Sequence, residues 1–255
     1  MINSKVQGIV IRTTPYGEIN KVVTLFTKEM GKISVMAHGA KKTKGKLAGV
    51  TQLFTNGNYL VSHGRIEGMG TMKQGETLVR YKTLQQDIMR TTYASAIVEL
   101  VDYLTVDREP NPSMFELIEQ ALQCIEHGHD PQMICSIVEA KLLSVAGIQP
   151  NLDGCSCCKN RQGSFAFSVT EGGFICHRCF EKDRHRIPVS LSTIRIFCLI
   201  YHLDLNRLEK VNVHKSTKIE ISTILTNLYS DYAGIYLKSK GFSRELEKLI
   251  PVCSS

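Results

Sequence analysis

The sequence has no apolar stretch of the roughly 18 residues that a membrane-spanning helix requires. Its first residues, Met1 to Lys5, also lack the apolar stretch of a signal peptide and lead directly into strand-like sequence. We therefore expect a cytoplasmic protein without a membrane partner.

Catalytic signatures are missing as well. The sequence contains no His-Glu-x-x-His, no Gly-x-Ser-x-Gly and no paired carboxylates in a recognisable setting. The segment from Gly39 to Leu47 superficially resembles a phosphate-binding loop. However, five residues instead of four separate Gly39 from Gly45, and Leu47 replaces the required Ser or Thr. We therefore reject nucleotide binding there and expect no enzyme.

The composition is that of a globular protein, since 43% of the 255 residues are hydrophobic and 22% are charged. The length fits one large domain or two to three small ones. Nine cysteines are an odd number, and a cytoplasmic protein rarely forms disulfides. Five of the nine lie between Cys155 and Cys179, and this clustering favours a metal site.

Positive charge is concentrated in the first third of the chain. Residues 1–82 contain thirteen Lys and Arg but four Asp and Glu, whereas the remainder contains eighteen and twenty. A basic domain attached to a near-neutral remainder indicates an anionic partner, with nucleic acid the leading candidate.

The first third also has a β pattern, because short runs rich in β-branched residues alternate with Gly, Pro and Asn turn signals. The runs cover residues 6–11, 22–27, 33–36 and 59–61 and, less clearly, 66–80. Five short strands in about 80 residues predict a small barrel or sandwich, and the OB-fold is the five-stranded barrel that binds nucleic acid.

Helical spacing replaces the β pattern from Leu84 onward. One amphipathic segment extends to Leu104, a second begins at Asn111-Pro112, and a third extends from Asp130-Pro131 to about Ala146. Helical pattern returns at about 190–203, 216–231 and 241–250, with Ser216 and Ser243 near plausible N-caps of the last two helices.

Two Cys-x2-Cys pairs predict a zinc site. The pairs Cys155/Cys158 and Cys176/Cys179 are separated by seventeen residues, within the spacing of four-cysteine zinc sites. The sequence between them resembles a β-hairpin that brings the pairs together. Four thiolates complete the tetrahedral shell of zinc and leave no position for water or substrate, so one structural Zn2+ is expected.

Two alternatives remain open at this site. Cys157 adjoins Cys158 and could replace it as a ligand, and a Cys-x2-Cys pair can act in thiol-disulfide exchange. The latter would make the chain a thiol oxidoreductase that uses Cys155 and Cys158. The neighbouring His177 is expected to be solvated.

A lysine-rich loop lies between two predicted strands, at residues 38–46. Its lysines alternate with small residues, so that ammonium and backbone groups can approach phosphates. Such a loop can also serve solubility alone, but further cations of the same small domain favour DNA contact. The candidate DNA-binding residues are Arg12, Lys21, Lys32, Lys41, Lys42, Lys44, Lys46 and Arg80. The aromatic residues Tyr16, Phe26, Phe54 and Tyr59 could stack on bases, although most are expected in the barrel core.

Taken in order along the chain, these segments resemble the RecO family of recombination mediator proteins. The matching segments are 8–12, 16–18, 31–34, 39–42, 100–102, 167–168 and 173–179. There are two departures from the family pattern. His38 stands where the family commonly has a basic residue, and Cys157 is an additional thiol.

The resemblance implies an α+β multidomain protein. Its N-terminal five-stranded OB-fold β-barrel would span residues 1–82, and an α-helical domain would span residues 83–152 and 183–255. The four-cysteine zinc module would be inserted at residues 153–182.

The resemblance also implies a function. Members of the family bind single- and double-stranded DNA, anneal complementary strands and work with RecR, and so help RecA to replace single-strand-binding protein (SSB) on gapped DNA. A cytoplasmic, nucleoid-associated DNA repair protein is therefore expected.

A further implied partner is the acidic, apolar C-terminal tail of SSB, which needs an apolar pocket with basic residues at its rim. Lys141 with Leu142 and Leu143, or Arg195 with Phe197, could form such a pocket. The alternative function is an RNA-binding or ribosome-associated module with the same barrel and zinc elements, because both polyanions suit a lysine loop.

Overall fold

The computed structural model describes residues 2–64, 68–203, 205, 208 and 212–249, the side chains of residues 244 and 247–249 excepted. The chain forms two compact units. The first comprises Met1–Pro131 and Ser239–Ser255, and the second comprises Gln132–Lys238. The first unit thus contains the first predicted domain together with the helices that follow it, and the predicted zinc module lies in the second.

Five strands form a closed barrel in the first unit, in the order β1-β2-β3-β5-β4. They are β1 (Ile2–Tyr16), β2 (Asn20–Thr27), β3 (Gly31–Ala37), β4 (Asn56–His63) and β5 (Gly70–Val79). All neighbours are antiparallel except β3 and β5, which join in parallel through the pairs Val35–Gly70 and Met36–Thr71. The five predicted strands are confirmed, although residues 66 and 67 of the last prediction lie outside the described residues.

The long strand β1 allows the sheet to close, because it pairs on both sides. Its residues 2–9 pair with β4 and its residues 8–16 with β2. The register shifts between Val10 and Arg12, and such a bulge bends a strand and increases its twist. Along β3 every second residue is buried, which is the alternation expected when one face of a strand points into a core.

Helices α1 (Lys82–Gln86), α2 (Ile88–Leu104) and α3 (Pro112–Glu126) follow the barrel in the first unit. Helix α2 begins separately because the Asp87 carboxylate accepts the backbone N–H of Arg90 as an N-cap. The predicted start at Asn111-Pro112 is confirmed, with the Asn111 side chain as the cap of α3. Phe115 of α3 packs against Phe26 of the barrel, with ring centroids 6.2 Å apart.

The second unit contains helices α4 (Pro131–Leu142), α5 (Leu191–His202) and α6 (Lys215–Ala233) around a small sheet. The sheet consists of β6 (Phe165–Ser168), β7 (Gly173–Cys176) and the two-residue strand β8 (Ile187–Pro188). Phe167, Phe174 and Phe197 form an edge-to-face cluster, which joins the sheet to α5. The Tyr229 hydroxyl donates to the Glu139 carbonyl and joins α6 to α4.

Two predicted helix ends were wrong. Helix α4 ends at Leu142 and not near Ala146, since tight turns lead to Gly147, which has a positive φ of 75°. The prediction of an N-cap near Ser216 is confirmed, since the N-cap of α6 is His214 and its side chain accepts the Ser216 N–H. Helix α7 (Lys238–Leu249) starts earlier than predicted, and Ser243 lies inside it, buried, with its hydroxyl donating to the Lys240 carbonyl.

Among the described residues, we find no helix with the length and apolar character needed to cross a membrane.

Candidate metal centre and nucleic-acid interface

The four predicted zinc ligands lie together. The Sγ atoms of Cys155, Cys158, Cys176 and Cys179 all lie within 4.8 Å of one another. The Sγ atom of Cys176 is 3.6 Å from that of Cys158 and 4.0 Å from that of Cys179. Four thiolates at about 2.3 Å from a tetrahedral zinc ion would be about 3.8 Å apart. The cluster therefore has the donor set and the dimensions of a zinc site.

The hairpin of β6 and β7 positions these thiols, as the sequence predicted. Phe165 pairs with Cys176 at the open end of the hairpin, so that β7 delivers the second Cys-x2-Cys pair. A 3-10 helix over His177–Lys182 carries Cys179. The first pair is held against the same strand, because the Ser156 N–H donates to the Phe174 carbonyl at 2.7 Å.

Backbone donors favour the ionised form of one thiol. Burial raises the pKa of Cys155, but the N–H groups of Cys176, Cys158 and Cys157 outweigh this effect and lower that pKa to about 6. Burial and the neighbouring thiols raise the pKa of Cys179. The charge of one thiolate opposes ionisation of the neighbouring thiol, and a bound cation offsets this repulsion. The cluster could therefore hold a metal ion.

Cys157 lies outside this group of four. Its thiol donates to the Glu171 carboxylate at 3.3 Å, and burial together with that carboxylate raises its pKa to about 11. The structure therefore favours Cys158 over Cys157 as the ligand. His177 is exposed, as expected of a solvated residue.

The lysine-rich loop is part of an ordered connection between β3 and β4. Ala40, Leu47 and Val50 of this connection are buried in the barrel core. The Gly45 N–H donates to the Lys42 carbonyl at 2.8 Å. Gly45 approaches the Gly39 carbonyl so closely that an added Cβ would lie 2.4 Å from that oxygen.

The four loop lysines, Lys41, Lys42, Lys44 and Lys46, are all exposed. The loop is also joined to the turn between β1 and β2. The Lys41 N–H donates to the Ile19 carbonyl, and the Gly39 N–H donates to the Asn20 side chain. Four ammonium groups therefore project from a loop whose backbone is fixed at several points, a suitable arrangement for phosphate contact.

The other four predicted DNA-binding residues differ in their surroundings. Lys21 is half-buried on β2, and Arg80 is exposed just after β5 with its guanidinium near Gly49. Arg12 and Lys32 both pair with the Asp102 carboxylate of α2, at 2.8 and 3.1 Å. The Lys32 side chain is only 13% exposed and also donates to the Asp102 carbonyl.

Asp102 is the structural residue that sequence reasoning missed. It joins α2 to two strands of the barrel, and its only sequence signal was its place in a segment that matches the family pattern. Charge counting treats Arg12 and Lys32 as part of the basic surface, whereas each already has a carboxylate partner.

The apolar residues of the two positions considered for the SSB tail are buried. Leu142 is 2% exposed, while Leu143 and Phe197 are fully buried. Their burial gives no support to either position, and the site of the SSB tail stays a prediction.

The barrel, the helices and the cysteine cluster thus define a mixed α+β protein that could hold one metal ion. The family model described as "Recombination protein O N terminal" matches residues 1–81, and "Recombination protein O C terminal" matches residues 85–241. The "DNA repair protein RecO" of Bacillus cytotoxicus is 48% identical over 244 residues, which are 96% of this chain and 98% of the relative. The proteins of the same name from Bacillus cereus strain AH187 and from Bacillus anthracis are 47% identical over the same shares.

The chain therefore belongs to the RecO family, and its role lies in DNA repair.

Proposed function

We propose that this protein is a DNA-binding recombination mediator without nucleotide hydrolysis. It binds single- and double-stranded DNA, anneals complementary strands and, with RecR, helps RecA to load onto SSB-coated DNA. The observation that carries the proposal is the set of four exposed lysines on an ordered loop of the barrel. Family membership supports the DNA repair setting.

In this proposal the barrel is assigned to the OB-fold. The closed order β1-β2-β3-β5-β4, with a single parallel pairing of β3 and β5 among the described strands, supports that assignment. OB-folds bind nucleic acid on the face of strands 2 and 3 and through the loops after strands 1 and 4. The lysine loop connects β3 to β4 and is hydrogen-bonded to the turn between β1 and β2, which is the first of these loops.

The DNA surface consists of the loop lysines with Lys21 and Arg80. Lys32 is assigned to the scaffold, since its ammonium group is largely buried and bonded to Asp102. Arg12 lies at the edge of the surface: its side chain is 57% exposed, but its guanidinium pairs with Asp102, a carboxylate that it shares with Lys32.

Annealing follows from this charge distribution. Two complementary strands repel each other through their phosphates, and a surface with uncompensated cations lowers this repulsion when it binds both. It also raises the local concentration of one strand around the other. Neither effect requires ATP.

The cysteine cluster is proposed to hold one structural Zn2+. Four sulfur ligands leave no open coordination position, so the ion would stabilise the second unit and take no part in chemistry. The ligands would be Cys155, Cys158, Cys176 and Cys179.

Partners beyond DNA are RecR, the SSB tail and, indirectly, RecA. Annealing of complementary strands coated with SSB, in the absence of ATP, tests the function. We expect the protein to accelerate annealing and RecR to be needed for RecA loading. A protein that binds RNA in preference to single-stranded DNA in a competition assay, and does not accelerate annealing, would instead fit the RNA-binding alternative.

A further inference from the structure

We infer that Tyr16 stacks on a nucleobase of single-stranded DNA held by the lysine loop, and that this contact lets the site distinguish single strands from duplex. The inference rests on the proposed DNA-binding function and adds a residue that reads the base instead of the phosphate.

Tyr16 differs from the other aromatic residues of the barrel region. Residues 1–82 contain five aromatic residues, and the structure describes all of them. Four of them, Phe26, Phe54, Tyr59 and Tyr81, are at most 1% exposed, whereas Tyr16 is 57% exposed. The core accounts for the four buried rings, whereas the ring of Tyr16 is accessible to a ligand.

Tyr16 lies at a turn that is hydrogen-bonded to the lysine loop. Tyr16 ends β1 and pairs with Asn20 across the tight turn that leads to β2. This turn is bonded to the lysine loop at three points. The Lys41 N–H donates to the Ile19 carbonyl at 2.9 Å, the Lys41 ammonium group donates to the Gly17 carbonyl at 3.1 Å, and the Gly39 N–H donates to the Asn20 side chain at 3.0 Å.

The turn carries a second exposed apolar residue, Ile19, which is 42% exposed. The hydrogen bonds of Lys41 and Gly39 therefore place a small apolar surface beside the lysine loop. The cationic loop and the apolar surface together suit a flexible polyanion that has accessible flat apolar rings. A single DNA strand has both properties, because its phosphates can meet the lysines while a base lies on the tyrosine ring.

A duplex presents the same phosphates but keeps its bases paired and stacked. The lysines consequently favour both forms of DNA, and stacking on Tyr16 favours the single strand alone. During annealing, contacts to the bases would be released as the strands pair, which would help the product to leave the site.

Substitution of Tyr16 tests this inference in the full-length protein. The Tyr16→Ala and Tyr16→Phe variants are compared with Tyr103→Ala, which removes a tyrosine of similar exposure (54%) from helix α2. The ligands are an oligothymidylate, an abasic oligonucleotide of the same length and a duplex. We expect Tyr16→Ala to bind oligothymidylate at least about fivefold more weakly and Tyr16→Phe to stay within about twofold of the wild type. Binding of the abasic strand and of the duplex should not change.

A fluorescence experiment provides a direct readout, since the chain contains no tryptophan. In the Tyr16→Trp variant the single indole should be quenched by oligothymidylate but not by the abasic strand. The inference is overturned if Tyr16→Ala binds oligothymidylate as the wild type does, or if it loses single-strand and duplex binding equally. A different result would show that the proposed DNA-binding function itself is wrong. In that case the loop variant Lys41→Ala/Lys42→Ala/Lys44→Ala would bind all of these ligands with the wild-type affinity.

Discussion

The salt dependence of DNA binding should decrease when the loop lysines are removed. In the variant Lys41→Ala/Lys42→Ala/Lys44→Ala, three of the four exposed ammonium groups of the loop are lost. Each neutralised phosphate contributes about 0.9 to the slope of log K against log salt on duplex and about 0.7 on single strands. Three lost contacts therefore make the slope about 2.7 less steep on duplex and about 2.1 less steep on single strands.

These slopes predict a large difference within an accessible range of salt. Between 50 and 200 mM salt, wild-type duplex affinity should fall about 40-fold more than the affinity of the variant, and single-strand affinity about 20-fold more. Fluorescence anisotropy titrations at four salt concentrations measure this difference. The control removes three exposed cations from the second unit, by changing Lys182, Arg184 and Lys215 to Ala, and should keep the wild-type slope. Equal slopes for the wild type and the loop variant would refute the assignment of the loop as the DNA surface.

Three further outcomes are expected. The Cys176→Ser variant should lose its bound zinc and several kcal/mol of stability, whereas the Cys157→Ser variant should keep its zinc and its stability. Elemental analysis and thermal unfolding measure the two quantities. Equal metal content in the two variants would contradict the ligand assignment. The Lys32→Met variant should be about 1 kcal/mol less stable, because Asp102 loses one of its two cationic partners and keeps Arg12. Its salt slope for DNA should stay unchanged; a flatter slope would return Lys32 to the DNA surface. Burial raises the pKa of Glu220, but the hydrogen bonds that it accepts from the Ser190 N–H and the Thr193 hydroxyl outweigh this effect and lower that pKa. Its contribution to folding stability is therefore fully present above the unfolded pKa of about 4.3 and is lost as pH falls through the lower folded value. The Glu220→Gln substitution should therefore lower the free energy of unfolding by about 1 kcal/mol at pH 7 and by progressively less below about pH 4. Urea unfolding at several pH values measures this difference, and a difference independent of pH would contradict this role of Glu220.

Local patterns in the sequence predicted the strands and the cysteine site well. The alternation along β3 and the turn residues between strands are encoded within a few positions, and so is the pairing of Cys176 with Phe165 in the hairpin. Closure of the barrel was harder to derive, because it depends on the bulge near Val10 and on a parallel pairing between strands far apart in sequence.

Helix starts were less predictable where a distant residue supplies the cap. Ser243 was expected near the N-cap of the last helix because serine favours that position. In the structure the Ser239 N–H near the start of α7 donates to the Glu99 carboxylate at 3.1 Å, from 140 positions away. Similarly, the Glu126 carboxylate accepts the N–H groups of Thr83 and Leu84 in α1. The residues around a helix start do not indicate that a distant residue will supply its cap.

The sequence also could not separate free cations from paired ones. Lys32 and Lys41 contribute equally to the charge of the first 82 residues. Only the fold shows that Lys32 lies against Asp102 and that Lys41 is exposed. Of the predicted DNA-binding residues, the loop lysines consequently become the core of the proposed surface.

Strand annealing on SSB-coated DNA, without ATP, tests the central proposal most directly. The wild type and the variant lacking three second-unit cations should accelerate annealing equally, and the loop variant should lose most of this acceleration at 100 mM salt. Full annealing by the loop variant, with thermal unfolding confirming that it is folded, would contradict the account.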